Sequence, residues 1–142
     1  MDLYLTFGSG QHQIIFTMPF TIVVFVTRKP GISPAAFKNH WEHKHIPLLK
    51  SLSGPLFPVS HTRHYIARDE NGDETPARVL VGEPDDFTYD GFAVVEFEDE
   101  AACKKFVPVM SSQEVEDDEE KFTDRAKLKC VCLGEVNVAR RD

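Results

Sequence analysis

Three histidines lie within six positions of the segment FKNHWEHKHIPLLK: His40, His43 and His45. Imidazole transfers protons near neutral pH and is also a common metal ligand, so the spacing must decide between these two chemistries. Residues 40 and 43 suit one face of a helix, but at ~100° per residue His45 is rotated roughly 140° from His40. Zinc-binding spacings such as H-E-x-x-H are missing. We therefore expect no metal site and no cofactor here.

The segment that carries these histidines is predicted to be a helix. A serine N-cap precedes Pro34, which occupies the favoured first helical position, and Pro47 is expected to end the helix close to His45. Phe37 and Trp41 belong to an apolar stripe along it. This stripe is the side that we expect to pack against the rest of the domain.

The three histidines differ in their predicted surroundings. His43 lies on the polar side of the helix, where a solvated surface histidine is the simplest interpretation. His40 flanks the apolar stripe and suits either packing or function. His45 lies beside the stripe at the helix end, so its imidazole can face a pocket. We take His45 as the candidate for proton transfer, with a buried structural histidine as the alternative.

The remaining elements follow from local pattern. β-Branched and aromatic residues predict four strands, over 20–28, 60–68, 92–98 and 128–139. Helices are expected over 34–45, 100–107 and 113–126, with Pro108 ending the second and Phe122 as the inward anchor of the third. The order is strand, helix, strand, strand, helix, strand. This is the α+β, ferredoxin-like β-α-β-β-α-β arrangement.

Two segments fall outside this core of elements. Residues 1–17 are interpreted as an N-terminal extension, either disordered or forming an extra strand through QIIFT, ahead of a domain over 18–142. Residues 69–91 are rich in turn-forming and acidic residues and are long for a connection, so we hypothesise that they close over a ligand.

Composition excludes several function classes. The 142 residues have a formal net charge of −7 and no basic cluster, which argues against nucleic acid and anionic membrane partners. The longest apolar run, 20–26, is too short to span a bilayer. Three cysteines without a C-x-x-C pair indicate neither a disulfide framework nor a zinc finger. A soluble, cytoplasmic protein is expected.

The strand over 60–68 offers two sets of candidate side chains. His64 shares one face with Thr62, whereas Arg63 and Tyr65 share the other. We choose His64 for the pocket; if the other face looks inward, Tyr65 becomes a candidate and Arg63 could hold a substrate carboxylate. The predicted aromatic lining of the pocket consists of Phe37, Trp41, Phe92 and Phe97.

Two segments resemble the EthD-domain family of the dimeric α/β-barrel superfamily. VTRKPGISPAAFKNHWEHKHIPLL (26–49) is similar to the opening of that family, and YDGFAVVEFEDEAACKKF (89–106) is similar to its second signature. The resemblance implies a homodimer in which two four-stranded sheets face each other. It also implies that His45 is the catalytic acid/base and that Asp90, ahead of the third strand, is its partner.

SHTRHYIARDENG, which follows the helix, is similar to fungal EthD-type proteins of aromatic polyketide pathways. The resemblance implies a cofactor-independent lyase of polyketide biosynthesis that decarboxylates or dehydrates an anthrone-type carboxylic acid. Such a protein would bind an aromatic polyketide small molecule and need no metal. Two alternatives remain open: a cofactor-free anthrone monooxygenase, and a non-catalytic small-molecule-binding module.

Overall fold

The computed structural model describes residues 18–70 and 74–142 with their side chains, and 2–7 and 11–16 by their backbone. The end of the QIIFT segment at Thr17 and residues 71–73 of the predicted long loop lie outside the described residues. Strands β1 (Asp2–Phe7) and β2 (Gln11–Phe16) pair antiparallel in a two-stranded sheet of their own. The proposed division between an extension and a domain stays a prediction.

A four-stranded antiparallel sheet forms the centre of the fold. Its strands are β3 (Phe20–Val26), β4 (Ser60–Tyr65), β5 (Gly91–Phe97) and β6 (Lys129–Cys132). They lie in the order β4-β5-β3-β6, so the two central strands are the β-branched and aromatic runs of the sequence. With a helical segment after β3 and another after β5, this is the predicted ferredoxin-like arrangement.

The helices begin where the capping residues predict. The first helical segment consists of α1 (Pro34–His40), a π-helical turn (Trp41–His45) and α2 (Ile46–Ser53), and the second of α3 (Glu100–Met110) and α4 (Gln113–Phe122). The Ser33 hydroxyl accepts from the Ala36 N–H, and the Asp99 carboxylate accepts from the Ala102 N–H. Every helix among the described residues falls short of what a membrane span requires.

The predicted end of the first helix at Pro47 is wrong, because the helix continues to Ser53. Proline lacks an N–H and its ring collides with the carbonyl four residues earlier in a regular α-helix. Just before Pro47, however, the Ile46 N–H bonds to the Trp41 carbonyl, five residues back. This wider turn moves the carbonyls away from their α-helical positions and accommodates the proline ring.

Other boundaries also differ from the prediction, among them the ends of α3 and β6. Helix α3 passes through Pro108 and ends at Met110, because a proline in the last turn removes only one hydrogen bond. Strand β6 ends at Cys132 rather than near 139. The Leu133 N–H still bonds to the Thr21 carbonyl, but β3 begins at Phe20, so the chain beyond has no neighbouring strand to pair with.

The hydrophobic core lies between the helices and one face of the sheet. Alternate residues of the central strands point into it, and the helices contribute four buried aromatic rings. The strand residues are Ile22, Val24, Val26, Ala93, Val95 and Phe97, and the helix residues are Phe37, Trp41, Phe106 and Phe122. The opposite face carries Phe25, His64 and Phe92, whose side chains are only partly buried or exposed.

Gly91 begins β5 at a point of close packing that leaves no room for a side chain. A Cβ there would lie 2.8 Å from the His64 carbonyl oxygen and 3.1 Å from the Trp41 ring. We expect Gly91→Ala to lower the free energy of unfolding by about 1–3 kcal/mol through overpacking. Urea unfolding measures the effect. Gly134→Ala is the matched control, because its Cβ would meet nothing within 4 Å. Equal stability of both variants would contradict this packing.

Candidate functional site

One carboxylate, that of Asp118 on α4, joins two histidines of the first helix. His45 Nδ1 lies 2.8 Å from Asp118 Oδ2, and His40 Nε2 lies 3.0 Å from Oδ1. His45 and Asp118 are both 8% exposed. The Phe122 ring stacks on the His40 ring at 4.6 Å and tilts against the His45 ring at 5.0 Å. Asp118 is therefore the acidic partner of His45.

The π-helical turn explains why both histidines reach the same group. In a regular α-helix they would point roughly 140° apart, as the sequence spacing predicts. The turn Trp41–His45 contains an extra residue, so five residues complete about one turn and the imidazole of His45 returns to the side of His40. The expectation that the two histidines occupy different flanks is wrong for this reason.

A small cavity lies between the sheet and the helices, and His45 forms part of its wall. Its volume is about 50 Å³, enough for a few water molecules or one end of an organic ligand. Most of the wall is aliphatic or aromatic, with Trp41 and Phe122 among the aromatic residues. The side chains that bring charge or a hydroxyl to the wall are those of His45, His61, Glu119 and Thr123.

The hydrogen bond to Asp118 decides which nitrogen of His45 can react. Burial lowers the pKa of His45, and the hydrogen bond to Asp118 offsets this only in part. Burial also acts to raise the pKa of Asp118, but its hydrogen bonds with His45 and His40 outweigh this and hold it below its ordinary value. An ionised carboxylate accepts only, so His45 carries its proton on Nδ1. Nε2 is then the unprotonated nitrogen available to a molecule in the cavity.

Asp90 does not partner His45, contrary to the expectation. Its carboxylate accepts from the Arg28 N–H at 2.7 Å and from Arg68 Nη2, and Arg28 Nε lies 3.4 Å away. Asp90 also donates its own N–H to the Val26 carbonyl. It therefore ties the end of β3 to the start of β5. A position ahead of β5 places its side chain beside the arginines rather than beside the helix that carries His45.

His64 points away from the cavity, so its choice for the pocket is wrong. It is exposed on the opposite face of the sheet, where its ring stacks on Phe92 at 4.9 Å. The other face of β4 is the inward one, because its side chains continue the apolar layer of β5 beneath the helices. It carries His61, Arg63 and Tyr65.

The inward residues of β4 form a hydrogen-bond network with the first helix. Glu42 Oε1 accepts from Arg63 Nε at 2.8 Å and from the Tyr65 hydroxyl at 2.7 Å. The hydrogen bond from Arg63 lowers the pKa of Glu42. Burial and the bonded Glu42 raise the pKa of Tyr65. Arg63 Nη1 lies 3.0 Å from His61 Nδ1, so the network continues to the cavity wall.

The four residues of the predicted aromatic lining lie at different places in the structure. Trp41 lines the cavity, and Phe37 packs behind it with ring centroids 5.5 Å apart. Phe97 lies deep in the core against Phe106. Phe92 belongs to the opposite face of the sheet with His64. Alternation along β5 separates Phe92 from Phe97, since the two residues are five positions apart and an odd separation places side chains on opposite faces.

Asp118 and Glu119 are the site residues that sequence reasoning missed. The segment EVEDDEE lies within the helix predicted over 113–126, for which Phe122 is the only inward residue predicted, but in α4 the buried residues are Val115, Asp118, Glu119 and Phe122. These positions follow the i, i+3, i+4, i+7 spacing of a core-facing helix stripe. Two carboxylates between the apolar ends of such a stripe are the pattern that could have indicated the site.

The loop predicted as a lid lies elsewhere. A polar cleft of about 610 Å³, which Arg28 and Arg68 also line, is lined by these residues of the loop: Thr75, Pro76, Ala77, Pro84, Asp85, Phe87, Thr88 and Asp90. None of the described residues 74–90 lines the cavity of His45. Within the described part of the chain, no group of three or more histidine, cysteine or acidic side chains is arranged to hold a metal ion.

Comparison with known proteins identifies the family. Residues 29–126 match the EthD domain model, so the chain belongs to the EthD domain family. No curated protein matches it.

Solved structures share the fold at low sequence identity. An EthD family protein of Bacillus halodurans has a TM-score of 0.51 at 16% identity, over 84% of this chain and 100% of that one. An EthD-like protein of Ralstonia eutropha has a TM-score of 0.53 at 14% identity, over 88% and 97%. A hypothetical protein of Arabidopsis thaliana has a TM-score of 0.51 at 15% identity, over 86% and 92%.

His61 should make the fold sensitive to acid. Burial, together with the charge of Arg63, lowers the pKa of His61 from 6.5 to about 4. As the pH falls below 6.5, the imidazole of His61 is protonated in the unfolded chain before it is protonated in the folded protein. Stability present above pH 6.5 is therefore lost as the pH falls towards 4. We expect His61→Asn, which keeps an acceptor for Arg63, to remove about 2 kcal/mol of this acid-induced loss.

Urea unfolding between these two pH values measures the effect of His61. His43→Asn is the matched control, because His43 is exposed to solvent. The pH dependence of that variant should follow the wild type. An unchanged pH dependence in His61→Asn would show that the protein tolerates the protonated imidazole.

Proposed function

We propose that this EthD-domain protein is a cofactor-independent lyase that removes carbon dioxide or water next to a carbonyl group, with aromatic polyketide acids as its substrates. The observation that carries the proposal is the buried His45–Asp118 pair beside an apolar cavity. An imidazole held in one tautomer by a carboxylate is suited to move protons between carbon and oxygen. The aromatic substrate class rests on the sequence resemblance described above.

Both reactions pass through an enol or enolate. His45 can act in each of them, as the neutral base in dehydration and as the protonated acid in decarboxylation. In dehydration, neutral Nε2 takes the proton next to the carbonyl, and Asp118 stabilises the imidazolium that forms. In decarboxylation, the electrons of the broken C–C bond form the enolate, and protonated His45 delivers a proton to that carbon. Because burial lowers the pKa of His45, the base form dominates near neutral pH. Decarboxylation should therefore slow as the pH rises, whereas dehydration should slow as it falls.

The cavity limits what can bind in this conformation. Its volume of about 50 Å³ admits the reacting end of a substrate, whereas binding sites for drug-sized ligands hold roughly 300–1,000 Å³. Met110 and Leu128 form part of the wall and are only partly buried. Their displacement would open the cavity towards solvent between α3 and β6. A polycyclic substrate is then held with one ring beside His45 and the others nearer the surface.

The proposed catalyst is a homodimer that joins through the face of the sheet opposite the helices. Phe25 lies 4.9 Å from Tyr89 and 6.1 Å from Phe92, and Phe92 stacks on His64. A patch of four adjacent rings on a sheet face that helices α1–α4 leave open is typical of a surface that a partner covers. Each subunit keeps its own cavity on the other side of its sheet.

A charge within this patch should separate the subunits. We expect Phe92→Asp to convert a dimer into a monomer, because the carboxylate would lose its hydration on burial against the partner. Sedimentation velocity measures the change. Leu80→Asp is the control, because Leu80 is 98% exposed in a loop and the variant should remain dimeric. A monomeric wild type would contradict the proposed assembly.

The catalytic proposal is tested with two substrates, a small β-keto acid that fits the cavity and an anthrone-type polyketide acid. Products are followed by mass under air and under argon. We expect loss of carbon dioxide or water in both atmospheres, and a decrease of about 10²–10⁴-fold in kcat for His45→Gln. His43→Gln is the matched control on the exposed side of the same helix.

The remaining outcomes discriminate between the alternatives. Product formed only under air would replace the lyase with a monooxygenase. Tight binding of the polyketide acid without turnover would indicate a binding module. Turnover that His45→Gln leaves unchanged would remove His45 from the mechanism.

A further inference from the structure

Glu119 is a buried acid for which the reaction described above has no role. It is 8% exposed and lines the same cavity as His45. Glu119 follows Asp118 directly on α4. The carboxylate of Asp118 bonds to Nδ1 of His45, and the next residue, Glu119, lines the cavity. A carboxyl group so placed can contact a molecule that also contacts Nε2 of His45.

The charge of Glu119 is only weakly compensated. Its nearest cation is Arg125, whose Nε lies 3.8 Å from Glu119 Oε2, beyond hydrogen-bond distance. Arg125 also lies 3.4 Å from Glu116 and 3.5 Å from Glu120, so one guanidinium serves three carboxylates. The Nε of Arg125 is buried without a hydrogen-bond partner among the described residues. The ion pair between Glu119 and Arg125 is therefore incomplete.

The surroundings of Glu119 favour its neutral form. Burial raises the pKa of Glu119, Arg125 opposes this, and the carboxylates of Glu116, Asp118 and Glu120 raise it further. His45 and His61 line the same cavity, and burial lowers the pKa of both imidazoles. The cavity thus combines two bases whose pKa values are lowered with an acid whose pKa is raised. Two groups whose environments separate their proton affinities in this way are typical of an acid and base pair.

We propose that Glu119 is the second proton-transfer residue of the site, which as a neutral acid binds the carbonyl oxygen of an aromatic ketone while His45 acts at the neighbouring carbon. This inference rests on the proposed lyase function and identifies the acid that acts together with His45 in that reaction. The ligand class is a ketone or enol attached to an aromatic ring, because the rest of the wall is apolar.

The dehydration step balances with these two residues. His45 Nε2 takes the proton from the carbon next to the carbonyl while Glu119 gives its proton to the carbonyl oxygen, which leaves a neutral enol. The enol then returns its O–H proton to Glu119 as the carbonyl forms again, and the departing hydroxyl takes the proton from His45 and leaves as water. Each transient charge meets an opposite one: imidazolium beside Asp118, and carboxylate beside Arg125.

The decarboxylation step uses the same pair and one proton from solvent. Glu119 protonates the carbonyl oxygen as the C–C bond breaks and carbon dioxide leaves, which produces the enol. Protonated His45 then adds its proton to the carbon while the enol returns its proton to Glu119. The net change is replacement of the carboxylate by hydrogen, and His45 regains its proton from solvent.

Binding of acetophenone, an aromatic ketone of one ring, tests the inference without requiring turnover. Calorimetry would measure its Kd for the full chain over about pH 4 to 9, the range in which carboxyl groups and histidines titrate. We expect affinity to fall by up to tenfold per pH unit on the alkaline side, as Glu119 loses the proton that it donates. Glu119→Gln keeps an N–H donor and should bind without this alkaline loss. Protonation of His45 and His61 should change the affinity only on the acidic side of this pH range, because burial lowers the pKa of both.

Glu116→Gln is the matched control, because it removes another carboxylate beside Arg125 but lines no part of the cavity. This variant should retain the alkaline loss. The inference is overturned if the wild type does not bind acetophenone, if its affinity has no alkaline loss, or if Glu119→Gln keeps that loss. Glu119-dependent binding without lyase turnover would refute the proposed function alone, whereas His45-dependent turnover without the alkaline loss would refute the role of Glu119 alone.

Discussion

The carboxylate of Asp118 joins the two helical segments from which the site is built. It accepts hydrogen bonds from His45 and His40, so α4 is held against the first helix at the point where the cavity begins. A buried carboxylate is costly unless such bonds compensate it. The two imidazoles supply that compensation, and Phe122, one turn further along α4, supports both rings. The same contacts therefore stabilise the fold and set the tautomer of His45.

The π-helical turn makes this arrangement geometrically feasible. Its extra residue brings His40 and His45 to the same side and also allows the helix to continue past Pro47. The prolonged helix then contributes Leu49 to the cavity wall. A local departure from regular helical geometry thus determines both the position of the base and part of the apolar surface in front of it.

Charge is distributed unevenly around the sheet. The cavity side concentrates Asp118 and Glu119 in apolar surroundings, where protonation states are sensitive to each neighbour. At another end of the sheet, Asp90 is matched by Arg28 and Arg68 in a compact ion-pair cluster. In the first arrangement the surroundings shift the pKa values of Asp118 and Glu119, whereas in the second the carboxylate of Asp90 is paired with two guanidinium groups. This contrast is the physical reason for assigning chemistry to α4 and a structural role to Asp90.

Local sequence alone determined the order of elements, the helix starts after Ser33 and Asp99 and the inward position of Phe122. Capping and hydrophobic periodicity act over a few residues, so neighbours along the chain are enough to set these features. Tertiary structure decided which carboxylate meets His45, which face of β4 looks inward and where the described residues 74–90 of the long loop pack. Strand alternation leaves both faces equivalent until a helix covers one. Asp118 is distant from His45 along the chain, so only the packing of α4 against the π-helical turn brings the two together.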